Sequence, residues 1–323
     1  MAKVLFYKNN RNNVTITVLL IASVIITNSF IVFSQGETNR SYFANLTSTI
    51  TVGIPMVIAF VMVFRYKRDM KKQSDRPQVF SALDNAILNF YDNNKMHLSI
   101  CLFLLLWFIA HIIWTFQFQQ SSEVSIQDVL WFVGYVFFGY FLYSLYYHFF
   151  RNEFEPMVLV LIAVIIVIVL VFIVDIIVST LRLLSAQTID LSVLLITVAY
   201  PILDAIIVFP AVLVFWAVRR ISSKRISSHP KQKKETNAEE NKTYSSTVSV
   251  SSIWILLLSI SMILSAVGDT GFAFSTAYGP DAVQRDIWIW DMFYNSFSLC
   301  LAAALLGYKN FFSFNRMSTI ERS

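Results

Sequence analysis

Three aspartates, Asp204, Asp269 and Asp291, each lie inside a long apolar stretch in the last 120 or so residues of the chain, and the first four apolar stretches hold nothing comparable. A carboxylate held in hydrocarbon is costly, so such acids face a cavity or a partner. Their chemistry is narrow: they can attract a cation, hold a proton, or act in pairs to activate water. Tyr200 lies four residues before Asp204, and Tyr294 and Asn295 lie three and four residues after Asp291. Those spacings share a helix face. We therefore expect Tyr200, Asp204, Asp269, Asp291, Tyr294 and Asn295 to form a polar pocket for a small polar or cationic ligand, with Asp204 as its principal acceptor.

Backbone signals fall around the same acids. Pro201 and Pro210 bracket Asp204, and each frees a carbonyl and interrupts the sixth stretch. Gly268 and Gly271 flank Asp269, where a neighbouring helix or a ligand can approach closely. His111 lies deep in the third stretch, free to meet a backbone carbonyl or a proton path, while His97 and His229 fall in inner loops. The four histidines have no metal-ligand spacing, no buried lysine is available for a retinal Schiff base, and neither a Gly-rich phosphate loop nor a Ser-His-Asp arrangement occurs. Neither a metal, a cofactor nor a catalytic residue is expected.

The elements that position these residues follow from composition. Apolar residues are 56% of the 323 and charged ones 14%, against roughly a quarter charged in a soluble domain. About 20 apolar residues cross a bilayer as a helix. Eight stretches qualify: Val14 to Phe33, Thr49 to Phe64, Leu98 to Phe118, Val129 to Phe150, Met157 to Val178, Ser192 to Val218, Ile253 to Phe274 and Ile287 to Tyr308. The reading is an all-α integral membrane protein of eight transmembrane helices.

All but three of the 25 Lys and Arg residues fall on one side when the loops are counted alternately; the exceptions are Arg40, Arg182 and Arg285. The positive-inside rule then places both termini in the cytoplasm of a multipass cell-membrane protein. The net charge of +5 is a topology signal and implies no nucleic acid. A rise of 1.5 Å per residue puts Asp204 about 18 Å, Asp269 about 10 Å and Asp291 about 7 Å below the outer edge, so the pocket opens outward and Asp291 is shallow enough to meet water. Trp131, Trp288, Trp290 and Tyr308 lie at stretch ends, as an aromatic belt would. Asn39-Arg40-Ser41 and Asn45-Leu46-Thr47 are acceptor-type glycosylation triplets on the outer loop.

The chain is also written twice. Thr51-Val52-Gly53-Ile54-Pro55 recurs as Thr197-Val198-Ala199-Tyr200-Pro201, each in a stretch that closes on basic residues. A long linker follows each, then a stretch, a short loop, and another stretch opened by Asp128 to Trp131 or Asp286 to Trp288. The expectation is two parallel four-helix repeats, 1–150 as scaffold and 151–323 carrying the pocket, related about the membrane normal. Within the first, 77–97 reads as an amphipathic helix at the inner interface, from Phe80, Leu83, Ile87 and Phe90. Within the second, 222–252 is basic, polar and expected to be disordered.

Three resemblances follow from these motifs. Ala199-Tyr200-Pro201-Ile202-Leu203-Asp204, Gly268-Asp269 and Asp291-Met292-Phe293-Tyr294, with Asp128-Val129-Leu130-Trp131-Phe132-Val133-Gly134-Tyr135, resemble the multipass sensor region that precedes cytoplasmic kinase or cyclase domains in prokaryotic signalling proteins. That resemblance implies a ligand-sensing role, with output through a cytoplasmic partner. Ala266-Val267-Gly268-Asp269 is similar to the Gly-x-Gly-Asp of presenilin-like intramembrane aspartyl proteases, with Asp204 on the preceding helix, although Ala266 replaces the first glycine. It implies an aspartyl hydrolase. A third likeness, to eight-helix lysoplasmalogenases, rests on Gly268-Asp269 alone. Sensor, proton- or cation-coupled transporter and hydrolase all stay open at this level.

Overall fold

The computed structural model describes residues 2–33, 36–74, 94–117, 125–149, 156–185, 191–228, 238–278 and 280–320. Among them the chain is all-helical: α1 (Ala2–Phe33), α2 (Glu37–Ser74), α3 (Asn94–Gln117), α4 (Ile126–Phe149), α5 (Pro156–Ser185), α6 (Leu191–Ser228), α7 (Ala238–Ala277) and α8 (Pro280–Ile320). Helix is the form in which an apolar segment satisfies its own backbone away from water. Six segments are long and apolar enough to cross a membrane: Arg40–Phe64, Lys95–Phe116, Ile126–Tyr147, Leu194–Leu213, Trp254–Thr276 and Arg285–Tyr308. The second begins well before Thr49, because Ser41, Ala44, Asn45 and Ser48 are all buried on α2. In α1 the apolar part is shorter, Val18–Phe33.

Those six helices pack as a closed ring. α2 meets α3, α3 meets α4, α4 meets α6, α6 meets α7, α7 meets α8, and α8 returns to α2. α1 lies outside against α8 and α2, and α5 outside against α6 and α7. Val160, Val164, Ile166, Val167, Leu170, Val171 and Val174 are all exposed on α5, the surface a bilayer would cover. Inside the ring an aromatic stack ties three helices together. Phe103 lies flat on Phe138 at 4.3 Å, Trp107 sits edge-on to Phe103 at 4.6 Å, and Phe297 reaches Trp107 at 5.1 Å. Such contacts add about 0.5–1.5 kcal/mol each beyond burial.

Several expectations change here. α6 is one helix from Leu191 to Ser228 despite Pro201 and Pro210, so the sixth stretch is not broken. Neighbouring helices hold a proline-containing helix together by packing. Helix also runs through 222–228 and 238–252, where composition predicted disorder; residues 229–237 lie outside the described set. A packed apolar segment supplies the costly nucleus, and extension into Lys, Glu and Ala is then cheap. The amphipathic linker expected at 77–97 falls mostly outside the described residues, which resume at 94. His97 is not in a loop: it is buried in α3 and pairs through Nε2 with the Tyr308 hydroxyl at 3.0 Å. Tyr308 is thus a core residue and not part of a belt.

Asn45, in the second acceptor-type triplet, lies buried on α2 and not in an outer loop. It is 2% exposed, and its Oδ1 accepts from Trp114 Nε1 at 2.9 Å.

Candidate functional site

The site grows from the start of α4. Asp128 supplies the return half of a capping box: the Ser125 N–H donates to Asp128 Oδ2 at 2.9 Å, and the Ser125 hydroxyl donates to the same oxygen at 3.0 Å. This fixes the Asp128 carboxylate so that Oδ1 accepts from the Tyr200 hydroxyl of α6 at 2.9 Å. Tyr200 is thereby pinned above Asp204, one turn further along the same helix.

Two turns into α4, Tyr135 stands between two acids. Its hydroxyl lies 2.8 Å from Asp204 Oδ1 on α6 and also hydrogen-bonds Asp269 Oδ2 on α7. The Tyr294 hydroxyl of α8 donates to Asp269 Oδ1. Asp204 Oδ2 is buried without a hydrogen-bond partner among the described residues. Residues from α4, α6, α7 and α8 thus converge on one buried cluster. Gly268 makes this possible, because a Cβ there would lie 3.0 Å from the Tyr294 ring. At Gly271, about one turn further along α7, a Cβ would collide with the Trp290 ring, whose Nε1 donates to Ser275 Oγ at 2.9 Å. The shared Tyr135 hydroxyl also sets Asp204 and Asp269 at one level. The differing depths counted along the sequence assumed that all helices begin in one plane.

Beside the cluster lies a cavity of about 40 Å³. Asp269, Asp291, Tyr200 and Tyr294 line it, together with Trp107, His111 and Trp114 of α3, Trp131 of α4, Phe272 of α7 and Ile287 of α8. His111 faces the rings of Trp131 at 5.7 Å and Tyr294 at 6.2 Å, and Trp114 faces Trp131 at 6.1 Å. The walls are therefore aromatic on most sides, with two carboxyl groups between them. At roughly 10–15 Å³ per water-sized occupant, the space suits a guest of about three or four heavy atoms.

Asp291 is the least accommodated group in it. The residue is 4% exposed, so it does not sit in interfacial water, and its Oδ2 has no hydrogen-bond partner among the described residues. Trp131 Nε1 is likewise buried without one. A buried carboxyl oxygen and a buried indole N–H, both left unpaired, cost free energy unless something bonds to them.

Four of the six residues expected from the sequence, Tyr200, Asp269, Asp291 and Tyr294, line this cavity, and Asp204 stands behind it, linked to Asp269 through the Tyr135 hydroxyl. Asn295 does not take part. It is fully buried in the seam with α2, where its Oδ1 accepts from Thr51 at 3.0 Å. The step from residue 294 to 295 turns the side chain by about 100°, enough to leave the cavity face. Trp131, near the start of the Ile126–Tyr147 span, lines the site. Tyr135, Asp128, Trp107 and Trp114 join it unanticipated. For Asp128 a signal was present, since Ser125-x-x-Asp128 ahead of an apolar run is a capping-box pattern. No group of three or more His, Cys, Asp or Glu side chains suited to a metal occurs among the described residues.

The chain matches no protein-family model, no curated protein and no solved structure.

Proposed function

We propose that this protein is a multipass membrane receptor for a small cation of the alkylammonium type, bound in the aromatic cavity and read out through a cytoplasmic partner. The observation that carries the proposal is Asp291: a buried carboxyl group whose Oδ2 has no hydrogen-bond partner among the described residues, set among tryptophan and tyrosine rings beside a second acid. Aromatic faces attract cations by about 2 kcal/mol or more once water is excluded. No lysine or arginine among the described residues lines the cavity to neutralise these acids. A guest of four heavy atoms gains at best about 1.5 kcal/mol per atom, which sets a floor near 40 µM for the Kd.

The remaining parts of the reading concern architecture. It takes α1 and α5 as two further spans, both termini as cytoplasmic and the cavity as opening outward. Support for two parallel repeats comes from the ring: advancing every helix by four exchanges α2–α3 with α6–α7, α3–α4 with α7–α8, and α2–α8 with α6–α4. Output through a partner is supported by α2, α6, α7 and α8, which all run on past their apolar segments toward the basic end. The resemblance to sensor regions points the same way.

A second reading, proton- or cation-coupled transport, draws on the Asp204–Asp269 pair next to the cavity. Aspartyl hydrolysis is less well supported: it needs a water between two carboxyl groups, and the Tyr135 hydroxyl stands in that place.

The test holds shape fixed and changes charge. Calorimetric titration of the full chain in nanodiscs should show saturable binding of trimethylammonium and none of isopropanol, its neutral match in size and branching. Equal binding of the two, or of neither, refutes the proposal. Proteoliposomes that accumulate trimethylammonium down a proton gradient would favour the transporter.

A further inference from the structure

Tyr135 has one hydroxyl proton and two carboxyl neighbours, Asp204 and Asp269. A phenol donates once, so only one of these contacts can use its hydrogen. The other requires a hydrogen carried by a carboxyl group. Tyr294 donates to the far oxygen of Asp269 and supplies nothing to Asp204. Without an extra proton, two like charges would flank one hydroxyl in a water-poor interior, and one of its two contacts would set lone pair against lone pair.

We infer that Asp204, Tyr135 and Asp269 form a proton-binding site, and that a cation entering the adjacent cavity displaces its proton to water. The first half stands on hydrogen counting alone; the second rests on the proposed cation binding. The exchange conserves charge. A cation placed against Asp269 supplies the positive charge that the proton supplied before, and the Tyr135 hydroxyl can turn its hydrogen toward either acid as the proton leaves. Asp204 does not line the cavity, so it acts as the proton's keeper and not as a cation ligand. Other titratable groups face the cluster from each packed element: His111 on α3, Asp128 on α4, Tyr200 on α6, and Asp291 and Tyr294 on α8. Of these, Asp128 is engaged by Ser125 and Tyr200, while Asp291 Oδ2, like Asp204 Oδ2, has no hydrogen-bond partner among the described residues.

Infrared spectroscopy of the full chain in nanodiscs at neutral pH tests the proton site, through the carbonyl stretch of un-ionised carboxyl groups. It is measured in Asp291→Asn, so that the pair reports without that residue. One such band is expected, lost on adding Asp204→Asn or Asp269→Asn, and shifted on adding Tyr135→Phe, which keeps both acids. Absence of the band, or a band indifferent to Tyr135→Phe, overturns the proton site whether or not any cation binds. The exchange is read by titrating wild-type chain with trimethylammonium in buffers of unequal ionisation heat. Release of about one proton per cation is expected, and none from Asp204→Asn. Binding without release overturns the exchange. Failure of trimethylammonium to bind overturns it together with the receptor reading, and the infrared band still decides the proton site.

Discussion

Replacing Tyr135 by Phe removes a single oxygen from the meeting point of three helices, and the structure sets the size of the effect. Two hydrogen bonds to carboxyl groups are lost at once. Bonds to charged groups contribute about 1.5–3 kcal/mol in water-soluble proteins. Inside membranes measured couplings are smaller, averaging about 0.6 and reaching about 1.7 kcal/mol, because unfolded helices also find partners. The bond between Tyr135 and Asp204 belongs near the upper end, since no other side-chain hydroxyl reaches Asp204 among the described residues. Asp269 keeps Tyr294 as a donor, so its coupling to Tyr135 is the weaker of the two. A double-mutant cycle of Tyr135→Phe with Asp204→Asn, read as unfolding free energy in mixed micelles, should give a coupling of about 1–1.7 kcal/mol. The same cycle with Asp269→Asn should give a smaller value. Additivity within about 0.5 kcal/mol in the Asp204 cycle would refute the reasoning, because that is the scatter of independent sites. A larger coupling to Asp269 than to Asp204 would refute the assignment of donors.

Other perturbations separate packing from function. Asp291→Leu should stabilise the fold by about 1 kcal/mol or more in the same micelle assay, since it removes a buried unpaired carboxyl, while abolishing trimethylammonium binding; a destabilised variant would mean that Asp291 has a structural partner. Gly271→Ala should cost about 1–3 kcal/mol and break the Trp290 to Ser275 bond, seen as a change in tryptophan emission; an unchanged melting curve would contradict the close packing of α7 on α8. Ser125→Ala should cost about 1 kcal/mol by removing the hydroxyl bond to the Asp128 carboxylate, and should weaken cation binding by loosening Asp128 and Tyr200; loss of stability with binding intact would show that Tyr200 is held in place by other contacts.

The acids were legible in the sequence because charge inside an apolar helix stands out against everything around it. Asp204, Asp269 and Asp291 needed no partner to be noticed, and the Tyr200 and Tyr294 spacings followed from helix geometry. The glycines beside Asp269 were read correctly for the same local reason. The aromatic wall was not legible. Trp107, Trp114 and Trp131 look like any lipid-facing or interfacial tryptophan until the rotation of α3 and α4 within the ring is known, and that rotation depends on contacts between distant segments. Tyr135 was seen only as part of a motif, and its position between two acids depends on how α4 sits between α6 and α7. Asn295 failed in the opposite direction: four residues from Asp291 suggested a shared face, but the cavity is narrower than that arc. Pro201 and Pro210 suggested a break, yet packing by α4 and α7 carries the helix through.

Tryptophan fluorescence gives the most direct measurement of the central claim, because Trp107, Trp114 and Trp131 all line the cavity. Titrated with trimethylammonium, the wild-type chain should show a saturable change with a Kd between about 40 µM and 1 mM, and Asp291→Asn should bind at least about tenfold more weakly. A response of equal affinity in Asp291→Asn, or one reproduced by isopropanol, would contradict the account.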